Sequence, residues 1–256
     1  MSKKCKLIII HMHELAYFRF FSVESTISFQ TISALLRLGH KYRLDIEKEA
    51  TTRLKLVFPS TLEEFDDPNK GLRLLGRQSD TEMYCSTSHI KICVSDAIAA
   101  INLARTYDIP SILPSSFYMC SRLPLSTLVS GALETRGTAN RLSSADLTIC
   151  LEGHLELIRR YSLMVQTVWD EIGRDGCTTP GACFDLKEVV GGPGIRESDP
   201  MSPAEMLGHC LVGTAWVTQE DEILPMCKEC SVRRTGLWVQ FRKEIWDDLP
   251  SIFNLL

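Results

Sequence analysis

Leu36-Arg37-Leu38-Gly39-His40-Lys41-Tyr42-Arg43-Leu44-Asp45 and Ile101-Asn102-Leu103-Ala104-Arg105-Thr106-Tyr107-Asp108-Ile109-Pro110 are two readings of one pattern. Each places an aliphatic, a second aliphatic, a small residue, a base, a tyrosine and another aliphatic at equal offsets. Apolar residues at this spacing mark one face of a helix, and the small residue lets a second helix come close. The tyrosine and the aliphatic after it then wedge the turn. Each pair keeps an apolar stripe that needs a neighbour, so the two pairs are expected to stack. Two copies are too few for a solenoid.

Working outward, Thr26 or Ser28 can cap the first helix, which carries Ile32, Leu35, Leu36 and Leu38 and ends near Gly39. A second runs from about Ile46 through Ala50 and Leu54 to Leu56, and a short one through Leu62 and Phe65 is capped by Ser60 or Thr61. Residues 66–89 are polar and aperiodic, and Asp66-Asp67-Pro68-Asn69-Lys70-Gly71 is turn chemistry, so a loop is expected there. Helix is expected to resume at Ile90 and to stop near Tyr107-Asp108. A long helix starts at Ser143 or Ser144 and passes Leu151, Leu155, Ile158 and Leu163 to about Trp169. Gly and Pro crowd residues 171–203, which read as loop apart from a piece around Phe184–Val190. A final helix spans about Val232 to Asp248, with Leu237, Phe241, Ile245 and Leu249 four apart. The expected fold is mainly α, in four segments: 1–65, a loop at 66–89, a helical extension at 90–170 holding the second helix pair, and a loop-rich 171–256.

Composition narrows the function. A net charge of -4 over 256 residues offers no basic stripe for phosphates, so nucleic acid is not expected as a partner. The apolar run Leu7-Ile8-Ile9-Ile10 stops at His11, short of a secretory signal core, and nothing reaches the length of a bilayer span. An intracellular site, cytoplasmic or nuclear, follows as an expectation, and there the ten cysteines read as core residues or metal ligands before disulfides.

The leading chemical constellation is Cys177-x5-Cys183 with Cys227-x2-Cys230. Four thiolates from two close pairs make a tetrahedral zinc site, and such closed sites hold structure without catalysing. A metal would also explain how a Gly/Pro-rich region stays folded. The bland alternative is four unrelated cysteines. His209-Cys210 offers a substitute ligand, whereas His11-Met12-His13 lacks the Glu and the i, i+4 spacing of a zincin helix and reads as solvated. His40 reads as a cation at a helix C-terminus. No Gly-x-Ser-x-Gly elbow or cysteine-protease signature is present, and Gly191-Gly192-Pro193-Gly194 lacks the Lys-Ser/Thr of a phosphate loop. Arg233-Arg234 reads as a solvated helix start or a contact to an acidic partner. The terminal stripe with Trp238 and Trp246 packs on the chain's own core or anchors a partner.

The stretch from Tyr17 to Leu56 resembles the closing helices of a BTB/POZ domain. Beyond it, Phe58-Pro59-Ser60-Thr61-Leu62-Glu63-Glu64-Phe65, Ile101-Asn102-Leu103-Ala104-Arg105 and Ser111-Ile112-Leu113-Pro114-Ser115-Ser116-Phe117-Tyr118-Met119-Cys120 resemble BTB-domain proteins of mushroom-forming fungi. So do Leu142-Ser143-Ser144-Ala145-Asp146, Cys177-Thr178-Thr179-Pro180 and Ile245-Trp246-Asp247-Asp248-Leu249-Pro250-Ser251-Ile252-Phe253, in the family's order. The resemblance implies a non-catalytic adaptor or scaffold that recognises other proteins. It covers only the closing part of the BTB domain, so the family's dimer and cullin-ligase surfaces, which lie earlier in that domain, are not carried over. A metal- or thiol-dependent enzyme and a zinc-containing nuclear protein are the alternatives.

Overall fold

A computed structural model of the chain describes residues 27–66, 73–75, 84–86, 90–133, 139–191 and 226–255. The fold is mainly helical and forms two compact units.

The first unit takes residues 1–120 and 125–143. It opens with a two-residue strand β1 (Ile27–Ser28) and helix α1 (Phe29–Tyr42). Ser28 caps that helix, its Oγ accepting the Thr31 N–H at 3.2 Å. Helix α2 (Ile46–Val57) returns against α1, and Gly39 makes this possible: a Cβ there would stand 2.6 Å from the Glu47 backbone nitrogen. Helix α3 (Leu62–Asp66) is capped by Thr61, whose Oγ1 accepts the Glu64 N–H at 3.2 Å. The second pair consists of α4 (Asp96–Thr106), a 3-10 turn (Pro110–Ile112) and α5 (Leu113–Ser121). Helix α6 (Leu125–Ser130) and a ribbon of β5 (Ala132–Leu133) and β6 (Ala139–Asn140) complete the unit.

The repeated pattern builds one turn twice. Arg43 and Asp108, at equal positions in the two stretches, have φ of 54° and 53°. Leu44 donates its N–H to the Gly39 carbonyl at 2.9 Å, and Ile109 donates to the Ala104 carbonyl, also at 2.9 Å. These are matching helix terminations in the left-handed region, which closes otherwise unpaired carbonyls. The pairs stack as expected: the His40 ring meets Tyr107 edge-on at 4.9 Å between centroids. His40 is also fixed by Glu47, Nδ1 to Oε1 at 2.9 Å. The core of this unit includes Ile32, Leu36, Leu54, Phe58, Ile98, Ile101, Phe117 and Tyr118, all fully buried.

The polar segment 66–89 departs from the loop expected of it. It contains β2 (Arg73–Leu75) and β3 (Tyr84–Ser86), which pair antiparallel, and β3 in turn pairs antiparallel with β4 (Ile90–Cys93). β4 lies parallel to β1, with Ile27 opposite Ile90, giving a sheet in the order β1-β4-β3-β2. Ile90 and Ile92 are buried and Lys91 exposed, so this start is a strand of period two where a helix was expected.

The second unit takes residues 121–124 and 144–256, so the division falls at Ser143/Ser144 and not at the expected boundaries 65, 89 and 170. The second helix pair belongs with the first because their turns touch. Helix α7 (Ser144–Asp170) buries Cys150, His154, Leu157, Tyr161, Met164 and Val168. Leu155 and Leu163 are 67% and 50% exposed, so two of the aliphatics that marked this helix in the sequence lie off its buried face. Gly153 explains the orientation: a Cβ there would sit 2.2 Å from the Phe253 ring. Helix α8 (Pro180–Gly191) contains the piece around Phe184–Val190 that stood out from the loop expected in the Gly/Pro-rich region, and begins four residues before it. Helix α9 (Lys228–Asp247) packs on α7, with Trp238 edge-on to Tyr161 at 6.2 Å between centroids and Arg160 Nη1 paired to Asp248 Oδ2 at 2.6 Å. Ile245 and Leu249 are buried and Leu237 and Phe241 half-buried, so the terminal stripe packs within its own unit. Helix α10 (Leu249–Ile252) follows. Among the described residues no helix is long and apolar enough to cross a membrane.

Candidate metal centre

Cys177, Cys183, Cys227 and Cys230 converge, and their Sγ atoms all lie within 4.8 Å of one another. The local sequence explains each placement. Beyond α7 the chain turns through Gly173 and Gly176, whose φ of 80° and 84° are left-handed. The Cys177 N–H donates to the Arg174 carbonyl at 3.0 Å, closing the turn that presents the first sulfur. Pro180 then opens α8, where its missing N–H costs nothing. Cys183 lies in the first turn of α8, its N–H on the Thr179 carbonyl at 3.0 Å. Cys227 is the N-cap of α9, and Cys230 lies three residues on, in the first turn. The spacing Cys-x-x-Cys across a helix start therefore puts both sulfurs on one side.

Backbone amides point at the sulfurs. Cys230 Sγ accepts the Gly173 N–H and Cys183 Sγ accepts the Cys227 N–H, both at 3.4 Å. Cys227 Sγ accepts the Cys230 N–H at 3.5 Å. Such donors stabilise negative sulfur, and a metal-thiolate site needs them because four thiolates outweigh a divalent ion's charge. The N–H groups of Cys230 and Thr178 hold the Cys227 thiol down to about 5, whereas loss of water pushes Cys177 up to about 12 and raises Cys230 as well.

The geometry suits one ion. Sulfurs about 2.3 Å from a tetrahedral centre stand about 3.8 Å apart. The Cys177 and Cys227 sulfurs are 3.7 Å apart. Cys183, Cys227 and Cys230 are buried with Ile172 in a small apolar cluster, against which Trp169 and Met226 pack, and Cys177 is half-buried at its edge. A group of four cysteines that can hold a metal ion is thus present, and among the described residues no histidine or carboxylate belongs to it.

Arg233 is a contributor that the sequence did not disclose. It donates from Nη1 to the Glu171 carbonyl at 3.2 Å and from Nη2 to the Asp175 carbonyl, so it ties the Cys177 turn to α9. Arg234 is buried at 5% exposure. Neither is a solvated helix start, and the only legible signal was that Arg233 follows Cys230 by one helical turn. His209, Cys210, His11 and His13 lie outside the described residues, as do Gly192-Pro193-Gly194. Cys93, Cys120 and Cys150 do not join the group. Comparison with family models, curated proteins and solved structures finds no match to this chain.

Proposed function

We propose that this chain is a non-catalytic protein-recognition module of the BTB/POZ type whose second unit is held by a structural zinc ion on Cys177, Cys183, Cys227 and Cys230. The observation that carries this reading is the closed set of four sulfurs within 4.8 Å of one another. Catalytic zinc keeps one position for water or substrate, and four thiolates leave none. Softness of the donor set favours zinc over magnesium or calcium. Recognition is supported by the doubled helix-pair turn and by Leu38, Tyr42 and Leu56, which stay exposed on α1 and α2. The reading places the chain in the reducing cytoplasm or nucleus, with proteins as partners and with neither nucleic acid nor membrane.

Metal analysis of the full chain purified from zinc-containing medium is the direct test. About one zinc per chain is expected, and less than about a tenth of an equivalent would overturn the assignment. The recognition half is tested by comparing the proteins that co-purify with the chain and with a Leu38→Asp/Leu56→Asp variant of unchanged circular dichroism. Proteins lost with that variant support the reading, whereas identical sets count against it.

A further inference from the structure

We infer that the four-sulfur centre is a peroxide-responsive clasp, in which Cys177 is the sulfur attacked first and Cys227 closes the disulfide that releases the metal. The inference rests on the zinc reading above and adds regulation to it.

Access and proximity carry the argument. Three of the sulfurs belong to buried residues: Cys183, Cys227 and Cys230 are 0%, 9% and 1% exposed. Cys177 is the least buried of the four, so an oxidant arriving from water meets its residue first. Its neighbour Cys227 is already 3.7 Å away, sulfur to sulfur. Cys227 caps a twenty-residue helix. Cys177 sits at the end of a turn with left-handed glycines at Gly173 and Gly176. No atom stands within 4 Å of the Cβ position at Gly173, and only Arg233 does at Gly176. Closing the remaining gap to a bonded distance draws the Cys177 turn further towards the helix to which Arg233 already ties it.

The chemistry balances with a hydroperoxide as the oxidant. The Cys177 thiolate attacks the peroxide, forming an S–O bond as the O–O bond breaks, and the departing hydroxide is protonated to water. The Cys227 thiolate then attacks the Cys177 sulfur, an S–S bond forms, the S–OH bond breaks, and a second water leaves after protonation. Two electrons pass from two thiolates to one peroxide. With two ligands gone the ion is held by Cys183 and Cys230 only. A second peroxide converts that pair in the same way. In sum, four thiolates and two hydrogen peroxides with four protons give two disulfides, four waters and the free ion.

Release exchanges the ion for two disulfides, so Cys183 on α8 and Cys230 in the first turn of α9 stay joined, now at a bonded distance and without the metal between them. Trp169 packs against the cluster and reports the change.

The test uses the zinc-loaded full chain treated with hydrogen peroxide in molar excess. Free zinc is read with a chromogenic chelator, Trp169 by fluorescence against a Trp169→Phe control, and cysteine pairing by non-reducing peptide mass spectrometry at early times. The expected result is release of about one zinc per chain, a first disulfide joining Cys177 to Cys227, and recovery of the bound zinc after thiol reduction. Zinc that stays bound while peroxide oxidises other cysteines would overturn the inference and leave the structural zinc standing. So would an early disulfide that omits Cys177. A chain that carries no zinc before treatment would instead remove the reading on which the inference rests.

Discussion

At Cys230 the side chain is almost wholly enclosed, and its sulfur takes the Gly173 N–H at 3.4 Å. A serine there would present a harder, shorter donor to a site shaped for sulfur. Loss of one of four ligands is expected to weaken zinc binding by about a hundredfold, a fraction of the roughly 10–16 kcal/mol that such sites supply. Competition titration of Cys230→Ser against a zinc chelator measures it. The control is Cys150→Ser, also buried but outside the cluster, for which affinity should not move. Glu156 allows a second prediction at this scale. Hydrogen bonds from Arg159, then Arg160, hold its carboxyl down to about 2, against an ordinary value of 4.5. The folded-state value is the lower one, so the carboxylate's contribution is present above pH of about 4.5 and is lost as pH falls towards 2. The Glu156 side chain is 30% exposed to solvent, so the contribution is small, below about 1 kcal/mol. Urea midpoints of the chain and of Glu156→Gln should therefore differ slightly at neutral pH and converge as the pH falls to about 2. A gap that widens in acid would contradict the pairing.

Among the elements, the doubled turn carries the most. Arg43 adopts φ 54° with an exposed side chain, a conformation that costs an L-residue roughly 1 kcal/mol and glycine nothing. Arg43→Gly is accordingly expected to stabilise the first unit by about 0.5 kcal/mol, after the added freedom of the unfolded chain is subtracted. Thermal unfolding should register an upward shift. The opposite outcome is expected at Gly39, where a Cβ would stand 2.6 Å from the Glu47 nitrogen. Gly39→Ala must push α2 away from α1 and should cost about 1–3 kcal/mol. These turns were legible in the sequence because their signal is local: a small residue, a tyrosine and an aliphatic at fixed offsets. The extents of α2 and α7 were legible for the same reason, from caps and breakers. The strands β2 and β3 were not, since three-residue segments have no periodicity to read and acquire their identity from partners far along the chain. β4 did show alternation at Ile90-Lys91-Ile92, but four residues were outweighed by the helix that follows. The buried face of α7 was hidden for another reason. Asp146 and His154 lie on it, and His154 Nδ1 meets the Ser121 carbonyl at 2.7 Å. Polar residues inside and leucines outside invert the pattern on which periodicity depends.

Over the whole molecule, the site was more legible than the boundaries that contain it. Two cysteine pairs separated by a Gly/Pro-rich stretch announced the centre, because ligand spacing is a covalent property of the chain. The division at Ser143/Ser144 did not announce itself, since which helices share a core depends on contacts such as His40 with Tyr107. That division would nevertheless give a metal on the four cysteines a local reach, and this can be measured. All four ligands belong to the second unit, and the first holds a core of its own from Ile32 to Tyr118. Zinc binding of the strength quoted above is comparable to the 5–15 kcal/mol that stabilises a whole domain. The second unit should therefore depend on the ion, while the first should not. Removing zinc from the full chain with a chelator is expected to accelerate hydrogen exchange in α8 and in the first turns of α9, where Cys183, Cys227 and Cys230 are seated. Exchange in α1, α2 and α4 should stay as it was, and zinc added back should restore protection. The same experiment in urea should separate a metal-dependent transition from a metal-independent one. If the chelator loosens all helices alike, the two units unfold as one and the clasp supports the entire molecule; if it loosens none, the cysteines hold their cluster by packing alone and the ion is not structural.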